Sequence, residues 1–189
     1  MAQLDTQQTG TTICPPQGTW VIDPVHSTIE FSVRHLMAAK VRGHFTQYTG
    51  RIDIADPPQT SSISAEIVAA SIDTRSADRD EHLRSADFLD VARYPTITYQ
   101  STGVRHLGGE HWEIDGDLTL HGVTRPVTLE ASYGGTVIDA FGTERFIAGA
   151  RATIDRTEFG LNWNQTLQTG GLIVGKRIEV DIDIQAVRA

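Results

Sequence analysis

The sequence predicts an all-β fold: an extended antiparallel β-barrel of about eight strands, with one short helix inserted near residues 76–84. Three observations predict it. Apolar and polar residues alternate at period two through most of the chain, in long segments that each keep one apolar face. These segments follow one another through short turns, which favours antiparallel neighbours. The first and last segments both carry strand patterns able to pair, and so to close the sheet. A sandwich would show the same alternation; the long strands and the pairing ends favour the barrel.

The first strand is expected at Thr19–Asp23, ended by the Asp23-Pro24 step. The second, Ser27–His35, sets Ile29, Phe31 and Val33 on one face and Thr28, Glu30, Ser32 and Arg34 on the other. Leu36–Lys40 interrupts the alternation with a short apolar patch. A long third strand, Val41–Ala55, has Gly43 and Gly50 as expected bend or bulge sites and stops at Asp56-Pro57-Pro58. The fourth, Ser61–Ala70, points Ile63, Ala65, Ile67 and Ala69 one way.

At residues 71–94 the alternation stops in S-I-D-T-R-S-A-D-R-D-E-H-L-R-S-A-D-F-L-D-V-A-R-Y. Ser76 or Asp78 is placed to cap a helix, and Asp78 and Glu81 have capping-box spacing. Arg84 stands four residues after Asp80, which suits an ion pair and the helix dipole. Strands resume at Thr96–Val104, Glu110–Leu120, Arg125–Asp139 and Glu144–Ile154, with Gly108-Gly109, His121-Gly122 and Phe141-Gly142 as turns. A connection over 155–174 leads to the last strand, Lys176–Val187, where Ile178, Val180, Ile182 and Ile184 oppose Arg177, Glu179, Asp181 and Asp183.

The 189 residues suit one domain, taken as 19–189 behind a Thr- and Gln-rich arm over 1–18. A net charge of −8 argues against nucleic acid and against docking on anionic lipid headgroups. The single cysteine, Cys14, leaves no intrachain disulfide. The N-terminus has neither the basic nor the apolar region of a secretory signal, and no run of about 20 apolar residues predicts a transmembrane helix. Cytoplasmic localisation is the expectation. A membrane barrel shares the period-two pattern, but the polar strand faces here are heavily charged.

A strand of about 12 residues spans ~40 Å, and a tilt of roughly 40° gives a barrel ~30 Å tall. Its inward positions include Ala65, Ala69, Gly116, Ala131, Ala148, Ala150 and Ala152. Small residues there either leave a lumen or merely taper a packed core; the pattern is compatible with both. A lumen would suit a long apolar tail. Burying one isoprene unit is worth roughly 3–4 kcal/mol at ~0.8 kcal/mol per carbon, so a few units outweigh the freedom lost on binding.

Five motifs carry a family resemblance. They are G-T-W-V-I-D-P-V-H-S-T-I-E-F-S-V-R-H-L (18–36), S-I-D-T-R-S-A-D-R-D-E-H-L-R-S-A-D-F-L-D (71–90) and Y-P-T-I-T-Y (94–99), then G-D-L-T-L-H-G-V-T-R-P-V-T-L (116–129) and R-T-E-F-G-L (156–161). In this order and spacing the chain resembles the YceI-like family from about Gly18 to its end. The resemblance implies a lipocalin-like barrel with an elongated apolar pocket for polyisoprenoid or isoprenoid-quinone lipids, and a homodimer. Some relatives are exported, whereas no signal peptide is visible here.

The apolar lining of the pocket is assigned to Phe31, Val33, Phe45, Ile67, Leu83, Phe88, Tyr99, Trp112, Ile114, Leu118, Phe146 and Trp163. A polar rim is assigned to His35, Arg42, Arg79, Asp80 and His82. Arg79, Asp80 and His82 match the R-D-x-H-L motif of the family. Arg79 and a protonated His82 would hold a phosphate or quinone oxygen. The same trio would equally fix the helix to the barrel rim, and Asp80 would repel a phosphate.

His26 reads as a turn residue and His121 as part of the L-H-G turn. Seven histidines raise the question of metal, but none has helical H-x-x-x-H or zinc-site spacing, so no metal and no cofactor is expected. No nucleophile elbow, dinucleotide fingerprint or phosphate loop is present, so no catalytic residue is assigned. The expected function is non-enzymatic binding, storage or transport of a long-chain isoprenoid lipid. Two alternatives stay open: an enzyme using Arg79, Asp80 and His82 on an apolar substrate, and a dimeric structural barrel without ligand.

Overall fold

The computed structural model describes residues 14–36, 39–166 and 172–189. The strands are β1 (Gly18–Ile22), β2 (Thr28–His35), β3 (Ala39–Phe45), β4 (Tyr48–Ile54), β5 (Ser62–Val68) and β6 (Ile72–Asp73). Helix α1 (Ala77–Arg84) follows, then β7 (Thr96–Gly108), β8 (His111–Leu120), β9 (Val123–Ile138), β10 (Glu144–Asp155) and β11 (Val174–Arg188). Most of the expected arm, residues 1–13, lies outside the described residues.

Eight strands close a ring in the order β1-β4-β5-β7-β8-β9-β10-β11, and β11 returns to β1. Closure is at Trp20↔Arg188, Val21↔Val187 and Ile22↔Ala186, so the two chain-end segments do pair. Every pairing is antiparallel, as period-two segments joined by short turns require. The other half of β11 is taken by β2, from Asp183↔Thr28 to Val174↔His35. β3 lies on β2, and the two-residue β6 on the end of β3.

β1 and β2 are one course of chain, kinked over residues 23–27. Ser27 spans the kink: its Oγ donates to the Gln185 carbonyl (3.1 Å) and accepts from the Gln185 amide (3.0 Å). The Asp23 amide donates to the same carbonyl at 2.9 Å, so β11 runs on with its backbone groups satisfied.

The expected third strand, 41–55, is broken at Thr46-Gln47 and not bent at its glycines. The Ser71 side chain accepts from the Gln47 amide (3.1 Å), and the Ser71 carbonyl accepts from the Thr46 amide (3.1 Å). Gly43 and Gly50 instead make room for neighbours. A Cβ at Gly43 would lie 2.5 Å from the Phe31 ring, and one at Gly50 2.3 Å from the Ile22 side chain.

α1 forms where the alternation stops, but its start differs from expectation. Ser76 occupies the N-cap position without a side-chain capping bond. Asp80 turns back to Thr74, accepting from its amide (2.9 Å) and its hydroxyl (2.6 Å). Arg84 does not pair with Asp80; it donates to the carbonyls of Ala70 and Ile72, both at 2.7 Å. One of these carbonyls lies just before the short β6 and the other within it, so the helix is anchored to the sheet end by backbone acceptors.

Two clusters of inward residues fill the ends of the barrel. One gathers Trp20, Ile52, Trp112, Tyr133 and Phe146. The other, at the α1 end, gathers Ile72, Leu89, Ile97, Leu120, Phe159 and Leu161. Among the described residues, no helix is long and apolar enough to cross a membrane.

Candidate functional site

The barrel encloses a cavity of about 320 Å³ bordered by members of both end clusters, so it runs from the Trp112 end towards α1. That volume is at the lower edge of the ~300–1,000 Å³ usual for ligand pockets. The wall is apolar because strand alternation sends one side chain in two inward. On β10, Ala148, Ala150 and Ala152 border the cavity, with Ala131 opposite on β9 and Ala65 on β5. Here the alanines leave volume.

The structure places eleven of the twelve assigned lining residues at the cavity wall. Phe31 and Val33 come from β2, Phe45 from β3, Ile67 from β5 and Tyr99 from β7. Trp112, Ile114 and Leu118 come from β8 and Phe146 from β10, while Leu83 and Phe88 come from α1 and the turns after it. Trp163 does not border the cavity. Its ring lies against Phe88 (5.0 Å between centroids) and edge-on to His82 (4.8 Å), so the three form an aromatic cluster behind the Phe88 part of the wall.

The five assigned rim residues are placed apart from the cavity wall. Arg79 and Asp80 meet on Thr74, where Arg79 Nε donates to the hydroxyl (2.7 Å) and Nη2 to the carbonyl (2.7 Å). His82 does not join them; its Nε2 contacts Asp87 at 2.9 Å. Arg42 is exposed on β3, beside Ser32 of β2. The half-buried His35 ends β2 opposite Val174. The alternation that turns Phe45 inward turns Arg42 outward, and the motif trio divides between a helix anchor and a lid contact.

The polar atoms along the wall are mostly spoken for. Tyr99 Oη donates to the carbonyls of Ile114 (2.9 Å) and Val127 (3.2 Å). Burial, reinforced by Asp115 and Asp117, pushes its phenol well above the ordinary range and keeps it neutral. Tyr133 Oη pairs with Thr136 Oγ1 at 2.5 Å, and burial raises this phenol too. Trp112 Nε1 has no hydrogen-bond partner among the described residues. No group of three or more His, Cys, Asp or Glu side chains is placed to hold a metal among the described residues.

Several polar wall residues escaped the reading of the sequence: Glu30, Ser61 and Ser132 border the cavity, and so does one buried cation. Arg156 follows β10, is 3% exposed and borders the cavity. Its Nε donates to the Gly175 carbonyl (2.9 Å), and Nη1 to the carbonyls of Leu161 and Trp163. Its only signal was its place at the head of the R-T-E-F-G-L motif.

The model of the YceI-like domain matches residues 20–186. A UPF0312 protein of Pseudomonas putida strain F1 is 33% identical over 164 residues, covering 86% of this chain and 82% of the relative. One from strain W619 is 34% identical over 165 residues, with the same coverage. Among solved structures, Burkholderia cenocepacia BcnA superposes with a TM-score of 0.75 at 19% identity, over 87% of this chain and 98% of that one. A polyisoprenoid-binding domain from Saccharophagus degradans, implicated in plant cell wall breakdown, gives a TM-score of 0.68 at 14% identity, over 90% and 98% of the two chains. At these identities the superpositions establish the shared fold.

Proposed function

The chain belongs to the YceI-like domain family, and from that premise we propose that it binds a long-chain isoprenoid lipid, polyprenyl or quinone, without catalysing a reaction. The observation that carries the reading is the apolar cavity running from Trp112 to Leu83 and Phe88 inside a closed barrel. A hydrocarbon tail is the guest such a wall stabilises, at ~0.8 kcal/mol for each carbon buried. The Saccharophagus degradans domain, whose name records polyisoprenoid binding, has the same fold and supports the assignment. In this proposal the eleven wall residues contact the tail. Arg79, Asp80 and His82 hold the lid, with His35 and Arg42 outside it.

Storage or transport, a cytoplasmic location and a homodimer belong to the same proposal; cell fractionation and light scattering test the last two. Organic extraction of gently purified protein, followed by mass spectrometry, tests the binding itself. A prenyl lipid is expected in the extract. Repeated recovery of empty protein that also takes up no added prenyl lipid would sink the proposal. An enzyme would respond differently to Asp80→Asn or His82→Ala, keeping ligand affinity while losing turnover by about a hundredfold or more.

A further inference from the structure

The ladder between β9 and β10 stops at Glu130↔Arg151. Beyond that pair, Val123–Leu129 of β9 is bonded to β8 alone and Ala152–Asp155 of β10 to β11 alone. The two facing edges leave a seam in the barrel wall at the α1 end, where Ile154 lies. We propose that this seam is the passage by which the apolar ligand enters and leaves the lumen, and that Phe159 closes it. The inference rests on the lipid-binding reading above and deepens it by assigning the route.

Three observations carry it. The first is a cleft of about 700 Å³ on the outer side of the seam. Pro126, Thr128 and Glu130 line it from β9, and Arg151, Thr153 and Asp155 from β10. Val127, Ala152 and Ile154 border both this cleft and the inner cavity, so the two spaces share a wall. Continued past Glu130↔Arg151, the register sets Val127 opposite Ile154, both of them apolar, with no ladder between them.

The second is what has to be broken. The flanking β8–β9 and β10–β11 ladders run through the same level without a register shift, so a passage there would part continuous backbone hydrogen bonds. Parting the seam breaks no ladder bond. Pro126 has no N–H to offer a neighbouring strand, which suits an edge position. Glu130, Arg151 and Asp155 put charge on the two edges, and this discourages pairing with a foreign strand.

The third is Phe159. It ends the short 3-10 turn Arg156–Phe159 that follows β10, and it borders the outer cleft. Yet it is only 1% exposed and belongs to the same buried cluster as Ile154 and Leu120. His121 Nδ1, in the turn before β9, donates to the Phe159 carbonyl at 3.2 Å. A residue carried by the β10 side is thereby tied to the β9 side, and moving one short turn opens the seam while every strand stays paired.

Exchange kinetics test the assignment on the delipidated full chain, with geranylgeraniol as the probe and tryptophan fluorescence as the signal. In a Cys14→Ser background, Thr128→Cys and Thr153→Cys are joined across the seam by a short reducible bismaleimide. The control joins Gln100→Cys to Asp117→Cys, which face each other in the closed β7–β8 ladder. The seam bridge is expected to slow uptake and release together by about tenfold or more, with Kd unchanged, and reduction to restore both rates. The control bridge leaves the rates as they were. Wild-type rates with the seam bridged, or equal slowing by both bridges, overturn the route and leave the lipid-binding reading intact. Should the seam pair not bridge, Phe159→Leu decides: uptake and release rise severalfold, and unchanged rates overturn the route. If the unbridged protein takes up no geranylgeraniol, the lipid-binding reading falls and takes this one with it.

Discussion

Gly116 and Tyr99 show how one position sets the bore of the barrel. A Cβ at Gly116 would lie 2.4 Å from the Tyr99 ring and 2.7 Å from the Gln100 carbonyl oxygen. The ring thus packs flat on β8 with its hydroxyl on Ile114 and Val127, and the lumen stays open beside it. Neither the ring nor the backbone can yield freely, so Gly116→Ala is expected to cost about 1–3 kcal/mol of stability. Thermal unfolding reads this as a fall of about 2–4 °C per kcal/mol in a chain of this size. Gly103→Ala is the control, because the nearest atom to its Cβ would be 3.9 Å away. Equal melting temperatures for the two variants would show that Tyr99 is not held there. Wall residues such as Ile114 and Leu118 were legible in the sequence, because alternation assigns each a side. Arg156 was not. An arginine ending a strand reads as a surface residue, and only the carbonyls of a connection that folds back reveal that it is buried.

Among elements, the kink between β1 and β2 depends on one arginine. Arg145 of β10 donates to Asp23 in the kink (2.8 Å) and to Asp139 after β9 (2.7 Å). Its bond, and then that of His26, lower the Asp23 pKa from 3.8 to about 2. Arg145 likewise lowers Asp139. A carboxylate with a depressed folded pKa binds more protons when unfolded. Its contribution is therefore complete above about pH 4 and is lost as the pH falls from there towards about 2. Urea unfolding across this window is expected to show stability falling with pH, and Asp23→Asn to flatten that slope. An unchanged slope in the variant would remove Asp23 from the account. Element identity was read well for a physical reason: period two and its interruption are local properties. The breaks within elements are not local. Thr46-Gln47 contains neither glycine nor proline, and the break there is made by Ser71 from across the sheet. The expected Asp78–Glu81 capping box is absent because the helix starts at Ala77 with Ser76 as N-cap, which puts Asp78 inside the first turn.

At the scale of the whole molecule, closure and cavity belong together. The eight-stranded ring closes on itself, leaving the β2-β3-β6 branch as the sheet's edge, and the cavity lies between the two core clusters that border it. Ligand bound there adds to the stability of the folded state, by about 2.7 kcal/mol at a hundredfold excess over Kd. Delipidated protein is therefore expected to melt about 5–10 °C below lipid-loaded protein. Ala150 locates the effect. It faces Ala131 of β9 and Ile182 of β11 across the ladders, and all three border the cavity. A phenyl ring at position 150 would occupy space that the tail needs. Ala150→Phe is expected to melt no lower than delipidated wild type, because it fills a void, and to lose the rise on adding prenyl lipid. A variant that still gains the full rise would place the ligand outside the barrel, whatever the extract contains. A variant that melts far below wild type would show the middle of the barrel to be rigidly packed rather than open.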